Sequence, residues 1–118
     1  MENTIIRLPT LRQLGHLVAL AEARHFGKAA AATHVTQSTL SASIKELEET
    51  LQASLVDRTK RKVVLTPLGT DVAERARRIL DQAEEISRLA QRESAPLSST
   101  LRMGVIPTIG PFLLPSVL

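Results

Sequence analysis

The chain has 118 residues, an apolar fraction of 43%, aromatics at only 2% and a formal net charge of +3. That length suits one domain, or one small domain plus part of another, with a core of aliphatic side chains and alanine rather than rings. The lack of cysteine excludes disulfides and thiolate chemistry within these residues, and no apolar run reaches the ~18 residues that would span a membrane.

The N-terminus has no apolar signal-peptide core, which leads us to expect a cytoplasmic protein. The charge is unevenly spread. Residues 1–66 hold nine Lys or Arg against six Asp or Glu, whereas residues 67–118 hold six of each. The excess includes Arg58, Lys60, Arg61 and Lys62, a cluster that suits a polyanionic partner, although such a run also serves as an ordinary solvated turn.

Residues 1–9 show no period and end in Pro9, so a loose arm is expected. Thr10 can cap a helix running to about Ala23, with Leu11, Leu14, Leu17, Val18 and Ala21 as its buried face. Arg24 to Gly27 should break it. A second, short helix is expected over residues 28–33, where Ala29 to Ala32 keep the surface small. Small side chains let a neighbouring helix approach closely, though four alanines also follow from simple helix propensity.

A tight turn, His34–Val35–Thr36, then leads into a third helix capped by Thr36. Leu40, Ile44, Leu47 and Leu51 recur at steps of four, three and four, one apolar stripe of a helix. Thr36, Gln37, Ser38, Thr39, Ser41, Ala42 and Lys45 occupy its opening turns, and acidic side chains begin only at Glu46. Groups of this kind at a helix N-terminus can enter a DNA major groove, where the helix dipole also favours phosphate. Alone, the helix reads rather as an ordinary amphipathic segment with a solvated polar face; what precedes and follows it reverses that preference.

Past Leu51 the period changes. Residues 54–57 and 62–66 cluster β-branched side chains around the basic turn Arg58–Thr59–Lys60–Arg61, which predicts a two-stranded hairpin with a cationic tip. Three helices followed by a basic hairpin make a winged helix-turn-helix, whose wing lies near phosphates or in the minor groove. Thr66–Pro67 then opens a long helix to about Arg92. Along it Val72, Ala76, Ile79, Ala83, Ile86 and Ala90 repeat every 3.5 residues, which predicts a pairing seam with a second chain; packing on its own domain is the alternative.

Residues 93–100 read as a Ser-rich hinge. Residues 101–118 carry an apolar β-like run, a Pro/Gly loop and the opening of a helix. They read as the truncated βα start of an α/β domain.

Residues 11 to about 92 resemble the DNA-binding region of the LysR-type transcriptional regulators. The resemblance rests on LRQLGHLVALAEARHFGKAA, THVTQSTLSASIKELEETL, LVDRTKRKVVLT and the PLG that opens the long helix. It implies a mainly α fold, with a winged helix-turn-helix over 1–66, a linker helix over 67–92 and a hinge over 93–100. It also implies an effector domain from residue 101, homodimers commonly assembled into tetramers, double-stranded DNA carrying an inverted repeat, and RNA polymerase as a further partner. VALAEARHF, VTQSTLS, RTKRKVVLT and LRMGVIPTIGPFLLP are similar to the OxyR-type, peroxide-responsive subfamily. There Thr108 would line the pocket around a redox-active cysteine located further along the chain.

By family position Gln37, Thr39 and Ser41 fall where groove contacts are made, Lys45 where phosphate is met, and Arg58 and Arg61 on the wing. Ser38 stands where the family often has Pro. Ala42 replaces a longer polar residue, although its methyl can still touch a thymine methyl. Gly15–His16 replaces the usual aromatic of the first helix.

Two rivals remain in view. His16, His25 and His34 are spaced by nine and lack the compact pattern of a zinc site, and no phosphate loop or paired carboxylates accompany them, so neither an enzyme nor a bound metal or cofactor is expected. A winged helix that binds protein draws support from Glu46, Glu48 and Glu49. A LysR-type regulator answering to a small metabolite is the alternative to the peroxide reading.

Overall fold

The computed structural model describes residues 6–59 and 62–94. Four helices and one hairpin follow in order: α1 (Leu11–Ala23), α2 (Phe26–Ala32), α3 (Gln37–Leu51), β1 (Val56–Asp57), β2 (Val64–Leu65) and α4 (Pro67–Ser94). This is a mainly helical winged helix-turn-helix with a long helix after the wing. The expected βα unit at 101–118, including Thr108, lies outside the described residues, as do Lys60 and Arg61.

Local chemistry explains the boundaries. Thr10 and Gln13 form a reciprocal capping box at α1: the Gln13 N–H donates to Thr10 Oγ1 at 3.1 Å, and the Thr10 N–H donates to Gln13 Oε1 at 3.0 Å. Arg24 closes the helix in the left-handed region at φ 52°. α2 begins at Phe26, two residues earlier than expected, because His25 caps it: its Nδ1 accepts the Lys28 N–H at 3.1 Å. Histidine is not among the favoured capping residues, so the start was hidden. Thr36 caps α3 by accepting the Thr39 N–H at 3.1 Å.

The core lies where α1, α2 and α3 meet. Leu17, Leu20, Leu40, Ile44, Leu47 and Leu55 are its largest fully buried side chains, each stabilising the fold by roughly 1.5–3 kcal/mol relative to exposure. Leu40, Ile44 and Leu47 are the expected stripe, and Leu51 is half-buried at its end. On α1 the expected face needs correction. Leu11 is 50% exposed, while Leu20 and the polar Gln13 and His16 are buried. Ala29 and Ala30 form the close contact of α2 with this core, and Val35 in the turn packs against it.

The strands are shorter than expected, pairing antiparallel only at Val56 with Leu65 and Asp57 with Val64. The wing is tied down at its base. The Thr66 N–H donates to Leu55 O at 3.0 Å and its hydroxyl donates to Ser54 O at 2.8 Å. The same hydroxyl oxygen accepts the Gly69 N–H at 2.9 Å, capping α4. Gly69 is buried, and a Cβ there would lie 2.1 Å from Leu55 O. Ala73 and Ala76, a turn and two turns further, also enter the core.

The chain divides into two compact units after Ala83. In the first, α4 contributes buried Ala73 and Ala76 and a half-exposed Ile79. In the second, residues 84–94 of α4 are exposed throughout, Ile86 at 68% and Leu89 at 53%.

Candidate functional site

With Leu40, Ile44 and Leu47 turned into the core, the opposite side of α3 is left to solvent. Thr36, Gln37, Ser38, Thr39, Ser41, Ala42 and Lys45 are all exposed. Thr36, Ser38 and Thr39 engage one another at the helix start. The Thr36 hydroxyl donates to Thr39 Oγ1 at 2.9 Å, and Thr36 and Ser38 hydroxyls lie 3.2 Å apart. Among the described residues, Gln37, Ser41 and Lys45 have no side-chain hydrogen-bond or ion-pair partner, so their polar atoms are uncommitted. Gln37 lies against the start of α2, its Oε1 3.4 Å from where a Gly27 Cβ would stand. A Cβ at 27 would press first on the His25 ring, 3.0 Å from Cε1.

Two depressions flank this surface. One, of about 270 Å³, is lined by Phe26, Ser41, Val56, Asp57, Arg58, Lys62 and Val63, and so brings the exposed face of α3 together with the wing. Another, of about 660 Å³, runs between α1 and α3; Arg12, His16, Thr39, Ala42, Lys45 and Glu46 are among its lining residues. Arg12 and Lys62 were not singled out as site residues from sequence. Lys62 belongs to the basic run that was noted, but nothing local marks Arg12, whose place depends on how α1 packs on α3.

α3 is held in position by polar contacts across to α1. His16 Nδ1 and Ser43 Oγ share a 2.6 Å hydrogen bond, and Gln13 Nε2 donates to Glu46 Oε1 at 3.2 Å. His16 is only 4% exposed, and burial, with the nearby Arg12 charge as a second cause, pushes its pKa below the ordinary histidine value. The folded state therefore prefers the neutral ring. As pH falls through about 6.5 the unfolded chain takes up a proton that the native state resists, so stability is lost there and levels off below the lowered native pKa. We expect the thermal midpoint to fall as pH drops from about 7.5 to 5, and His16→Asn to flatten that fall. Parallel curves for the two proteins would assign the titration elsewhere.

Glu46, Glu48 and Glu49 lie on the later turns of α3, and two of them are engaged. Glu46 accepts from Gln13, and Glu48 accepts the Leu55 and Val56 N–H groups as well as Arg58. Among the described residues no group of three or more metal-ligating side chains occurs, and no helix is long and apolar enough to cross a membrane. His25 is the cap of α2, and His34 takes the left-handed turn at φ 60°.

A three-helix core whose third helix keeps one face open to solvent, flanked by a hairpin wing, defines the winged helix-turn-helix class. Residues 11–70 match the model of the bacterial regulatory helix-turn-helix proteins of the lysR family, and the chain belongs to that family. It is 50% identical over 111 residues to the HTH-type transcriptional regulator EstR of Acinetobacter baylyi, covering 94% of this chain and 37% of that protein. It is 43% identical over 108 residues to the DNA-binding transcriptional dual regulator OxyR of Escherichia coli K12, covering 92% of this chain and 35% of OxyR. Among solved structures, the BenM DBD in complex with catB site 1 DNA is similar, with a TM-score of 0.69 and 32% identity over 74% of this chain and 98% of that one. The chain spans about a third of the length of the curated relatives it matches.

Proposed function

We propose that this chain is the DNA-binding and pairing portion of a bacterial transcriptional regulator that recognises a two-fold duplex site. The observation that carries the reading is the uncommitted polar face of α3, where Gln37, Ser41 and Lys45 stand exposed opposite a fully buried stripe. In this reading Gln37, Thr39 and Ser41 address base edges, with Ala42 against a thymine methyl. Thr36, Ser38 and Lys45 meet the backbone beside them, and Arg58, Lys60 and Arg61 meet it from the wing. Ile79, Ala83, Ile86 and Ala90 mark the pairing side of α4, whereas Ala76 of the same repeat is taken up by its own core and Val72 packs against it; residues 1–66, 67–92, 93–100 and 101–118 serve as head, linker, hinge and effector start. Two heads joined in this way place their recognition helices about one DNA turn apart, ~34 Å.

Fluorescence anisotropy tests the reading. One duplex carries the inverted repeat upstream of the protein's own gene, and a second carries the same bases scrambled. Tight binding to the repeat, a steep salt dependence and a clear gap over the scramble are expected. Gln37→Ala should narrow that gap by ~1–3 kcal/mol if the contact is bidentate. Absence of binding to either duplex at low salt would favour the protein-interaction reading.

The identity with OxyR and the character of residues 101–115 support peroxide-responsive promoters as targets, with Thr108 beside the sensing site in the effector domain. Deletion of the gene should abolish peroxide induction of the adjacent promoter; intact induction would favour a metabolite-responsive regulator.

A further inference from the structure

Glu48 sits on the fourth and last turn of α3, an acidic residue on the helix that the reading above brings to DNA. Charge alone makes it a liability. Its surroundings give it another part. One carboxylate oxygen, Oε2, accepts the Leu55 N–H at 2.8 Å and the Val56 N–H at 3.1 Å, fixing the first residues of the wing to α3. The other, Oε1, accepts from Arg58 Nη2 at 2.6 Å. The Glu48 side chain is largely enclosed, 13% exposed, whereas that of Arg58 is 45% exposed.

A guanidinium offers five N–H donors in a rigid plane, and this ion pair uses one nitrogen. Among the described residues Arg58 Nε and Nη1 have no partner, and Arg58 shares its depression with Ser41 and Lys62, outward groups of α3 and the wing. An arginine held on one edge has already lost much of its side-chain freedom, so a phosphate meeting its other edge orders less.

We infer that Glu48 is a positioning residue for the DNA backbone: it buttresses Arg58 so that the free guanidinium edge receives a phosphate oxygen beside the recognition helix. The inference rests on the DNA-binding reading and adds a direction of effect that simple electrostatics reverses. Removing a negative charge from a DNA-facing helix should tighten binding through the ordinary Coulomb term. Removing a buttress should weaken it.

The test is anisotropy of the full chain on a random-sequence duplex of about 20 base pairs over a salt series, since phosphate contacts do not depend on sequence. Arg58→Gln should weaken binding and lower the salt slope by about one unit. Glu48→Gln should weaken binding about three- to tenfold, the worth of one well-placed hydrogen bond, and should have no further effect in the Arg58→Gln background. Thermal melting accompanies each variant. Should Glu48→Gln fail to fold, Arg58→Lys takes its place, with weaker binding at an unchanged salt slope expected, because an ammonium cannot offer two edges. Tighter binding by Glu48→Gln, additive effects of the two substitutions, or wild-type affinity in Arg58→Lys would each overturn the inference while leaving the DNA reading intact. A wild-type chain that binds no duplex at low salt would overturn both.

Discussion

Gly69→Ala should destabilise the protein, although Ala is the better helix former. Helix propensity by itself favours Ala by ~1 kcal/mol in a helix interior. Against this, the new Cβ would lie 2.1 Å from Leu55 O and 2.9 Å from Leu55 C, both backbone atoms. Backbone cannot rotate aside as a side chain would. Leu55 is also fixed from two directions, its carbonyl accepting the Thr66 N–H and its N–H donating to Glu48. Relief therefore requires α4 to move off the base of the wing, opening the contact that Ala73 and Ala76 make with the core. Overpacking of this kind costs ~1–3 kcal/mol or more and outweighs the propensity gain. The thermal midpoint should drop by several degrees, at ~4–8 °C per kcal/mol for a domain of this size. Gly15→Ala is the matched control. Nothing lies within 4 Å of its added Cβ, so the same substitution in α1 should raise the midpoint by propensity alone. A neutral Gly69→Ala would mean that the first turn of α4 does not press on Leu55 in solution.

How much of this was legible beforehand follows from the range of each interaction. Thr10, Thr36 and Thr66 could be placed as caps because a cap contacts a backbone N–H three residues on, within any short reading window. The stripe Leu40, Ile44, Leu47 was legible for the same reason, since helical period is local. His16 was not, because its partner Ser43 is 27 positions away. Glu48 was read only as a charge. Its binding of Leu55, Val56 and Arg58 depends on the chain reversing after Gln52, which ends α3 in the left-handed region at φ 52°. For α4 the difficulty is one of kind rather than range. A 3.5-residue repeat records that a face is covered and does not record by what. Ala76 turned out to be covered by its own domain at 1% exposure, while Ile79 and Ile86 on the same repeat remain open.

That division makes Ile86→Glu the sharpest test of pairing. Ile86 is 68% exposed and Leu89 53%, large aliphatic groups on a helix otherwise rich in charge. Nearby, Arg88 and Glu84 form an i,i+4 ion pair at 3.6 Å, an arrangement that suits a solvated side of the helix. A charge set into an apolar seam costs far more than one on that solvated side, because its desolvation has no compensating partner. We expect Ile86→Glu to sediment as a monomer where the parent chain is a dimer. Affinity for the inverted repeat should fall by ~10²–10⁴, since the second half-site is no longer bound intramolecularly. Affinity for a single half-site should not change, and residues 6–83 should still melt in one cooperative step, with a midpoint that no longer rises with protein concentration as that of a paired chain does, because Ile86 is no part of their core. This pattern separates loss of pairing from loss of fold. A variant that remained dimeric with full affinity for the repeat would place the pairing surface elsewhere than the Ile79–Ile86 repeat.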